Sequence, residues 1–386
     1  MVTKAGVVKG ADNTMHIRGG RSAEIVYMVD GIAVTNAFWG GSLLEVENTA
    51  IEELQVISGT FNAEYGQAMS GIVNIITKEG SPKWNFKVLS YIGDYYSTKT
   101  DKFLNIDDFD ILAFQNVDLT LSGPVPLLSK NLSFFSSGRY FKSKGYHYGI
   151  REHLPTDLVD RTSPQRSQWI VEKNGDSTLV SMNPFEKYSW QGKLTWRPWT
   201  NTKFFYSVLG DDKNYRTFSS LEDFRFSYNP DGGYKKNRLS WNHSLNWTQT
   251  LGAKTFFELK FAYTSDKYEE YVYENPLDSR YVDDTRYLHT DGQTGFYLNG
   301  QGMWHREQKF ETYVGKFDIT SQILSHEVKA GLELKYHDLR KWDYKTVMEE
   351  WTDWQPRVLD PLQGPNSDRY QRHPKELNLR FISRIK

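Results

Sequence analysis

Cysteine is absent from the 386 residues, which excludes a disulfide framework, a thiolate zinc centre and a cysteine nucleophile. No apolar run approaches the ~18 residues that would suggest a membrane helix. Neither sign of charge is in excess, since 47 basic against 48 acidic residues leave a formal net charge of -1. That balance argues against a general nucleic-acid binder, which needs a basic face to neutralise phosphates. Enzyme motifs are missing as well: there is no G-x-S-x-G elbow, H-E-x-x-H pair, phosphate loop or dinucleotide fingerprint, and the nine histidines are scattered. Catalysis is therefore not expected, and no cofactor or metal is implied. The opening MVTKAGVVKG lacks the apolar core and small-residue cleavage site of a signal peptide.

What the chain has in quantity is aromatic rings: 24 Tyr, 22 Phe and 12 Trp, 15% of the residues. Composition shifts near 80–82. Before it the sequence is glycine-rich with short aliphatic runs such as Ile25 to Val29 and Ile72 to Ile76; after it come long segments that alternate. In Lys187 to Arg197 one face carries Tyr188, Trp190, Leu194 and Trp196, and the other Lys187, Ser189, Gln191, Lys193, Thr195 and Arg197. Arg238 to Thr248 repeats the scheme, with Leu239, Trp241, His243, Leu245 and Trp247 opposing Ser240, Asn242, Ser244 and Asn246. A period of two is the sheet signature. Roughly ten such strands are expected, many as long as the ~9 to 11 residues needed to cross a bilayer.

The connections carry independent information. Short turns at 124–130, 198–202, 249–253 and 321–326 alternate with long polar loops at 149–185, 211–235, 271–308 and 340–375. Outer-membrane barrels connect their strands in this way, with tight turns on one side and large loops on the other. The polar face then lines a lumen while the aromatic face meets lipid, with Tyr and Trp near the headgroups. His243 fits the apolar face only at an interfacial depth. A secreted sandwich with aromatic carbohydrate-binding platforms is the alternative that alternation alone would allow.

The segment before the shift supplies identity. Met15 to Val34 reads MHIRGGRSAEIVYMVDGIAV and Ile51 to Gly80 reads IEELQVISGTFNAEYGQAMSGIVNIITKEG. This ordered set resembles the plug domain of TonB-dependent outer-membrane receptors, and its wording is similar to the carboxypeptidase-regulatory-like, Oar-like branch. Leu119 to Arg139 resembles the first barrel hairpin of those receptors. The resemblance implies a mainly β fold: a small α+β plug at residues 1–80, followed at 83–386 by an incomplete antiparallel transmembrane β-barrel. It also implies a place in the bacterial outer membrane, and as partners membrane lipid, a small or oligomeric ligand, a surface lipoprotein, and TonB acting through an N-terminal segment absent here.

Asp30 and Gly31 suit a hairpin turn after Ile25 to Val29. Arg18 reads as the charge most suited to burial, and a buried guanidinium needs a carboxylate. In the family the matching arginine belongs to a plug-to-barrel lock with barrel glutamates; a second arginine is replaced here by Ser58. The competing reading is an arginine satisfied by local plug carbonyls. The outward plug loops, by resemblance, are 33–41 and 61–67, which makes Asn36, Phe38, Trp39, Tyr65 and Gln67 the expected substrate contacts. Phe38 and Trp39 could equally pack against the wall. Acidic stretches at 278–284 and 348–354 offer clustered oxygens but no calcium-ligand spacing, and read as solvated loops.

A barrel wide enough to hold a plug needs about 22 strands, so ten cannot close around it. The chain is expected to be an internal fragment of a longer receptor, forming an open curved sheet with a small domain on its concave face. The function the resemblance implies is energised uptake of a scarce solute, with an adhesive or protein-exporting receptor on the same scaffold as the other reading.

Overall fold

The computed structural model describes residues 7–10, 15–36, 40–58, 69–125, 131–283, 289–348, 356–358, 368–372 and 375–385. The N-terminal part is built from short strands. β1 (Val7–Lys9) pairs antiparallel with β2 (Met15–Ile17). A four-stranded sheet joins β3 (Ile25–Val29), β4 (Ile32–Ala33), β5 (Ile51–Ile57) and β6 (Gly71–Thr77) in the order β4-β3-β6-β5, with β3 and β6 parallel. Ile25, Ile72 and Val73 of this sheet are fully buried, as is Ile17 at the end of β2. Such near-continuous aliphatic runs suit a strand covered on both faces.

Beyond it rises a wall of long antiparallel strands: β7 (Asn85–Gly93), β8 (Phe114–Pro124) and β9 (Leu132–Ser143). A long loop then carries the short β10 (Tyr148–Ile150), β11 (Val159–Asp160), β12 (Ile170–Val171) and β13 (Leu179–Ser181). The wall resumes with β14 (Phe185–Trp199), β15 (Thr202–Tyr215), β16 (Lys235–Gly252), β17 (Thr255–Tyr271), β18 (Trp304–Ile323) and β19 (His326–Val347). Last come β20 (Arg357–Val358), β21 (Asp368–Arg372) and β22 (Lys375–Ile385). The twelve-stranded sheet follows β7-β8-β9-β14-β15-β16-β17-β18-β19-β20, and β21 and β22 also pair with β19.

The wall is a single layer whose two faces have opposite chemistry. On β14 the side facing the small sheet buries Lys187, Ser189, Gln191, Lys193 and Thr195 at 0–5% exposure, while Tyr188, Leu194 and Trp196 on the other side are 43–45% exposed. On β16 Ser240, Asn242, Ser244 and Asn246 are buried inward, and Leu239 and Leu245 point out. A soluble sandwich would bury the apolar face, so this inversion excludes one. Rings tile the outward face. Trp196, Phe204, Trp247, Phe257 and Phe317 form a ladder with centroid spacings of 5.1–5.9 Å near the short-turn end. His243, Tyr263, Tyr313 and Tyr336 occupy one outward row nearer the long-loop end, where His243 Nδ1 lies 2.8 Å from the Tyr206 hydroxyl. His243 therefore sits in an aromatic girdle, with a polar partner.

The strands run further at the long-loop end than their alternation suggests: β15 continues to Tyr215, β17 to Tyr271, β18 begins at Trp304 and β19 continues to Val347. Charged residues break the apolar pattern there, yet they pair across strands. Arg238 binds Asp266 at 2.7 Å, Arg306 binds Glu270 at 2.9 Å and Asp343 at 3.2 Å. Three long loops knit together above the wall. Met182, Phe226 and Tyr297 share a small core, the Tyr297 hydroxyl reaches Glu222 at 2.8 Å, and Asn229 Nδ2 donates to the Gly300 carbonyl.

Candidate functional site

The small sheet sits against the inward face of the wall, and their seam is where the chemistry concentrates. Part of it is apolar: Leu209, Phe310 and Leu339 of the wall join the core of Val29, Val34, Leu43 and Leu44, and Ile32 packs on Ala262 and Val314. The rest is a set of ion pairs of one polarity, acid on the small domain and base on the wall.

Asp30 is the most buried of these acids. The β3–β4 turn needs left-handed backbone at two successive residues, Asp30 (φ 50°) and Gly31 (φ 81°), as expected of a tight hairpin. A Cβ at Gly31 would also lie 2.8 Å from Lys260 Nζ. The Asp30 carboxylate accepts from the Thr77 amide (3.0 Å) and hydroxyl (2.7 Å), tying the end of β3 to the end of β6. Lys193 reaches in from β14, 3.0 Å from Asp30 Oδ2, with side-chain exposures of 1% and 5% for the pair. Its ammonium also donates to the Thr77 carbonyl and lies 4.4 Å from the Phe205 ring centroid.

Glu47 forms the second hub, just before the 3-10 turn Asn48–Ala50. Its carboxylate accepts from Arg139 (2.6 Å), Lys187 (2.5 Å) and the Ser189 hydroxyl (2.8 Å). Glu45 extends it, 3.0 Å from Lys187 and 2.7 Å from Lys213. Glu79 makes a third contact with Arg197 (2.7 Å) and Lys203. Desolvation acts to raise these carboxyls, but the neighbouring ammonium and guanidinium groups win. Lys213 and Lys187 hold Glu45 down to about 2. Burial is likewise outweighed at Glu47 by Lys187 and Arg139, and at Glu79 by Lys203, so both lie below the usual carboxylate range.

Above the Glu47 hub the inward face carries a second ring ladder: Tyr91, Phe114, Phe141, Phe185 and Tyr215, across five strands, with centroids 5.0–5.9 Å apart. Arg139 touches both features, its guanidinium 5.1 Å from the Phe141 centroid while it holds Glu47. Sequence spacing could not show this ladder, because Phe185 and Tyr215 fall in the segments read as long loops, 149–185 and 211–235.

Arg18 is not where the sequence reading put it. It lies exposed at a left-handed turn (φ 50°) after β2 and makes no ion pair among the described residues. The reason is local: Ile17 fills the core position, and the chain turns back at once through the Gly20 amide bonded to the Ile17 carbonyl. The cations buried at the seam are Lys187 and Lys193 of the wall instead. Asn36 is buried, and its backbone closes a tight turn through Gly40 and Gly41 at 3.0 and 2.9 Å. Phe38, Trp39, Tyr65 and Gln67 lie outside the described residues. Of the acidic stretches, Asp278 is engaged by Arg280 at 2.7 Å.

No family model matches the chain. Among curated proteins it is 34% identical over 70 residues to the vitamin B12 transporter BtuB of Vibrio vulnificus, covering 18% of this chain and 12% of that one. It is 26% identical over 89 residues to the TonB-dependent transporter Oar of Myxococcus xanthus, covering 22% and 8%. Among solved structures, the outer membrane transporter YddB of Escherichia coli superposes with a TM-score of 0.61 at 11% identity, over 97% of this chain and 48% of that chain. FpvA of P. aeruginosa bound to a heterologous pyoverdine gives 0.59 at 12% identity, over 99% and 46%. The chain thus spans about half the length of these structures.

The class the fold defines is a plugged β-barrel, represented among the described residues by a small sheet set against part of a wall. More narrowly, the chain has the fold of the TonB-dependent outer-membrane receptors, over about half of their length. The proteins it resembles are transporters and receptors, not enzymes.

Proposed function

We propose that this chain is the plug and adjoining barrel wall of a receptor that draws a scarce solute, such as a siderophore, vitamin, oligosaccharide or peptide, across the outer membrane, with TonB supplying the pull on the plug. Residues 1–80 form the plug and 83–386 the wall. The observation that carries the reading is the polarity of the seam: Asp30, Glu45, Glu47 and Glu79 meet Lys193, Lys187, Lys213, Arg139, Arg197 and Lys203.

An ionic seam suits a part that must leave and return. Ion pairs are strong while desolvated, but water rehydrates both partners when they separate, so the opened state is not penalised as an exposed apolar face would be. The ligand surface comprises the plug loops bearing Asn36, Phe38, Trp39, Tyr65 and Gln67 together with the lumenal rings of Phe114, Phe141 and Phe185. Arg139 joins those rings to Glu47, which gives ligand contact a route to the seam.

The test starts from cells lacking the receptor, grown in turn on limiting iron chelates, cobalamin, oligosaccharides and peptides. One nutrient should fail to support growth, and the intact gene should restore it. Because the chain has no cysteine, the pair Glu47→Cys and Ser189→Cys can be bridged by a bismaleimide or a reducible linker without side reactions. Reducible bridging should stop growth on that nutrient, and reduction should restore it. Undiminished growth with the bridge closed, or no nutrient phenotype at all, contradicts the proposal.

A further inference from the structure

The outward face of the wall is rich in rings, and at one place they stand apart. A groove of about 780 Å³ opens there, lined chiefly by Tyr206, Leu245, Phe261, Tyr313 and Leu334. Its floor is Gly315, which lies directly opposite Phe261 on β17 and Leu334 on β19 and has no side chain to fill the space between them. Phe261 and Leu334 are each 51% exposed and Tyr313 is 47% exposed.

We propose that this groove seats one acyl chain of a phosphate-bearing lipid in the leaflet nearest the long-loop end. Three observations lead to this occupant. The groove is continuous with the apolar belt, so what meets it in the membrane is hydrocarbon, and a gap that no atoms fill forfeits the contacts of its lining. Its long-loop end is polar: Tyr206 bonds His243, and the Tyr263 hydroxyl donates to Glu311 at 2.7 Å. Beyond that end, Lys267, Lys309 and Arg340 stand directly opposite one another on three adjacent outward strands. Like charges in cross-strand register disfavour the sheet; here each is eased by an acid on its own strand, Glu269 at 2.7 Å, Glu311 at 3.0 Å, and Asp338. This row lies four residues along the strands beyond the Tyr263, Tyr313 and Tyr336 rim of the slot, roughly 13 Å at strand rise, which places a lipid phosphate at the row with the middle of its tail in the slot.

The experiment uses the intact receptor in vesicles containing phosphatidylethanolamine with a diazirine at mid-chain. Irradiation should label peptides bearing Phe261, Tyr313 and Leu334 several-fold more than those bearing Leu259, Phe317 and Leu332, which lie one outward row away. Gly315→Leu fills the slot from its floor, and a Cβ there meets only the Phe261 ring, at 3.8 Å and beyond. In a variant that still migrates as a folded barrel, the enrichment should disappear. Even labelling along the belt in the wild-type receptor overturns the proposal whatever the variant does. So does enrichment that survives Gly315→Leu, or a protein–protein adduct through Phe261 that shows a second copy in the groove.

Discussion

At the scale of single residues the account depends on Asp30 and its lysine. Lys193→Gln leaves the Asp30 carboxylate buried without its cation, and losing one member of such a pair costs about 3 to 5 kcal/mol. Plug unfolding followed by calorimetry in the intact receptor should show that loss, whereas Lys193→Arg should retain much of the stability. Gly31→Ala should cost on the order of 1 kcal/mol or more, since its φ of 81° suits only glycine and its Cβ meets Lys260. The acids of the seam make seating pH-dependent. Folded values of Glu45, Glu47 and Glu79 are depressed, so their contribution is complete above the ordinary carboxylate value of 4.5 and is lost as pH falls, toward about 2 for Glu45. Collision of a nitroxide attached at position 189 with a water-soluble relaxing agent should therefore rise on acidification over that window and stay flat above pH 5 or so; a rise on the alkaline side near neutrality would contradict the seam. Residue-level roles were the least legible part of the sequence. Arg18 read as the charge most suited to burial, yet it lies exposed in the left-handed turn with Gly19. Glu47 gave no signal, because nothing local marks a carboxylate that meets Arg139 and Lys187, 92 and 140 residues away.

At the scale of the element, β14 shows why alternation is so readable. Its inward row meets the small sheet and, on the proposed reading, its outward row meets lipid, so each position is constrained by one surrounding or the other, and a slip of one residue would carry Lys187 and Lys193 into hydrocarbon at roughly 2 to 4 kcal/mol each. The same cost gives a prediction. Leu194→Lys should destabilise the barrel by about 2 to 4 kcal/mol, while Lys at position 203, on the opposite face, is already accommodated by Glu79. Equilibrium folding into vesicles measures the difference. Periodicity located β14 and β16 well, since their two faces alternate along most of their length. It stopped early on β15, β17, β18 and β19, because toward the long loops the pattern is carried by charges such as Arg238 with Asp266 and Arg306 with Glu270, which period counting reads as loop. Cross-strand pairing, which sequence spacing does not reveal, keeps those extensions regular.

At the scale of the whole molecule, the architecture followed from two features visible along the chain: motifs in plug order up to Gly80, then two-faced strands with turns of alternating length. Neither could show that the plug is held by its own acids, since that is a property of two surfaces brought together. The central claim is that one wall has lipid on its aromatic side and an acid-studded plug on its charged side. The most direct measurement is a nitroxide scan of positions 188–196 in the intact receptor reconstituted in vesicles. Labels at Tyr188, Leu194 and Trp196 should collide with lipid-soluble oxygen, and labels at Gln191, Lys193 and Thr195 should be shielded from both oxygen and a water-soluble nickel chelate until the plug is displaced. A scan in which both sets are equally open to the nickel chelate with the plug in place would contradict the account.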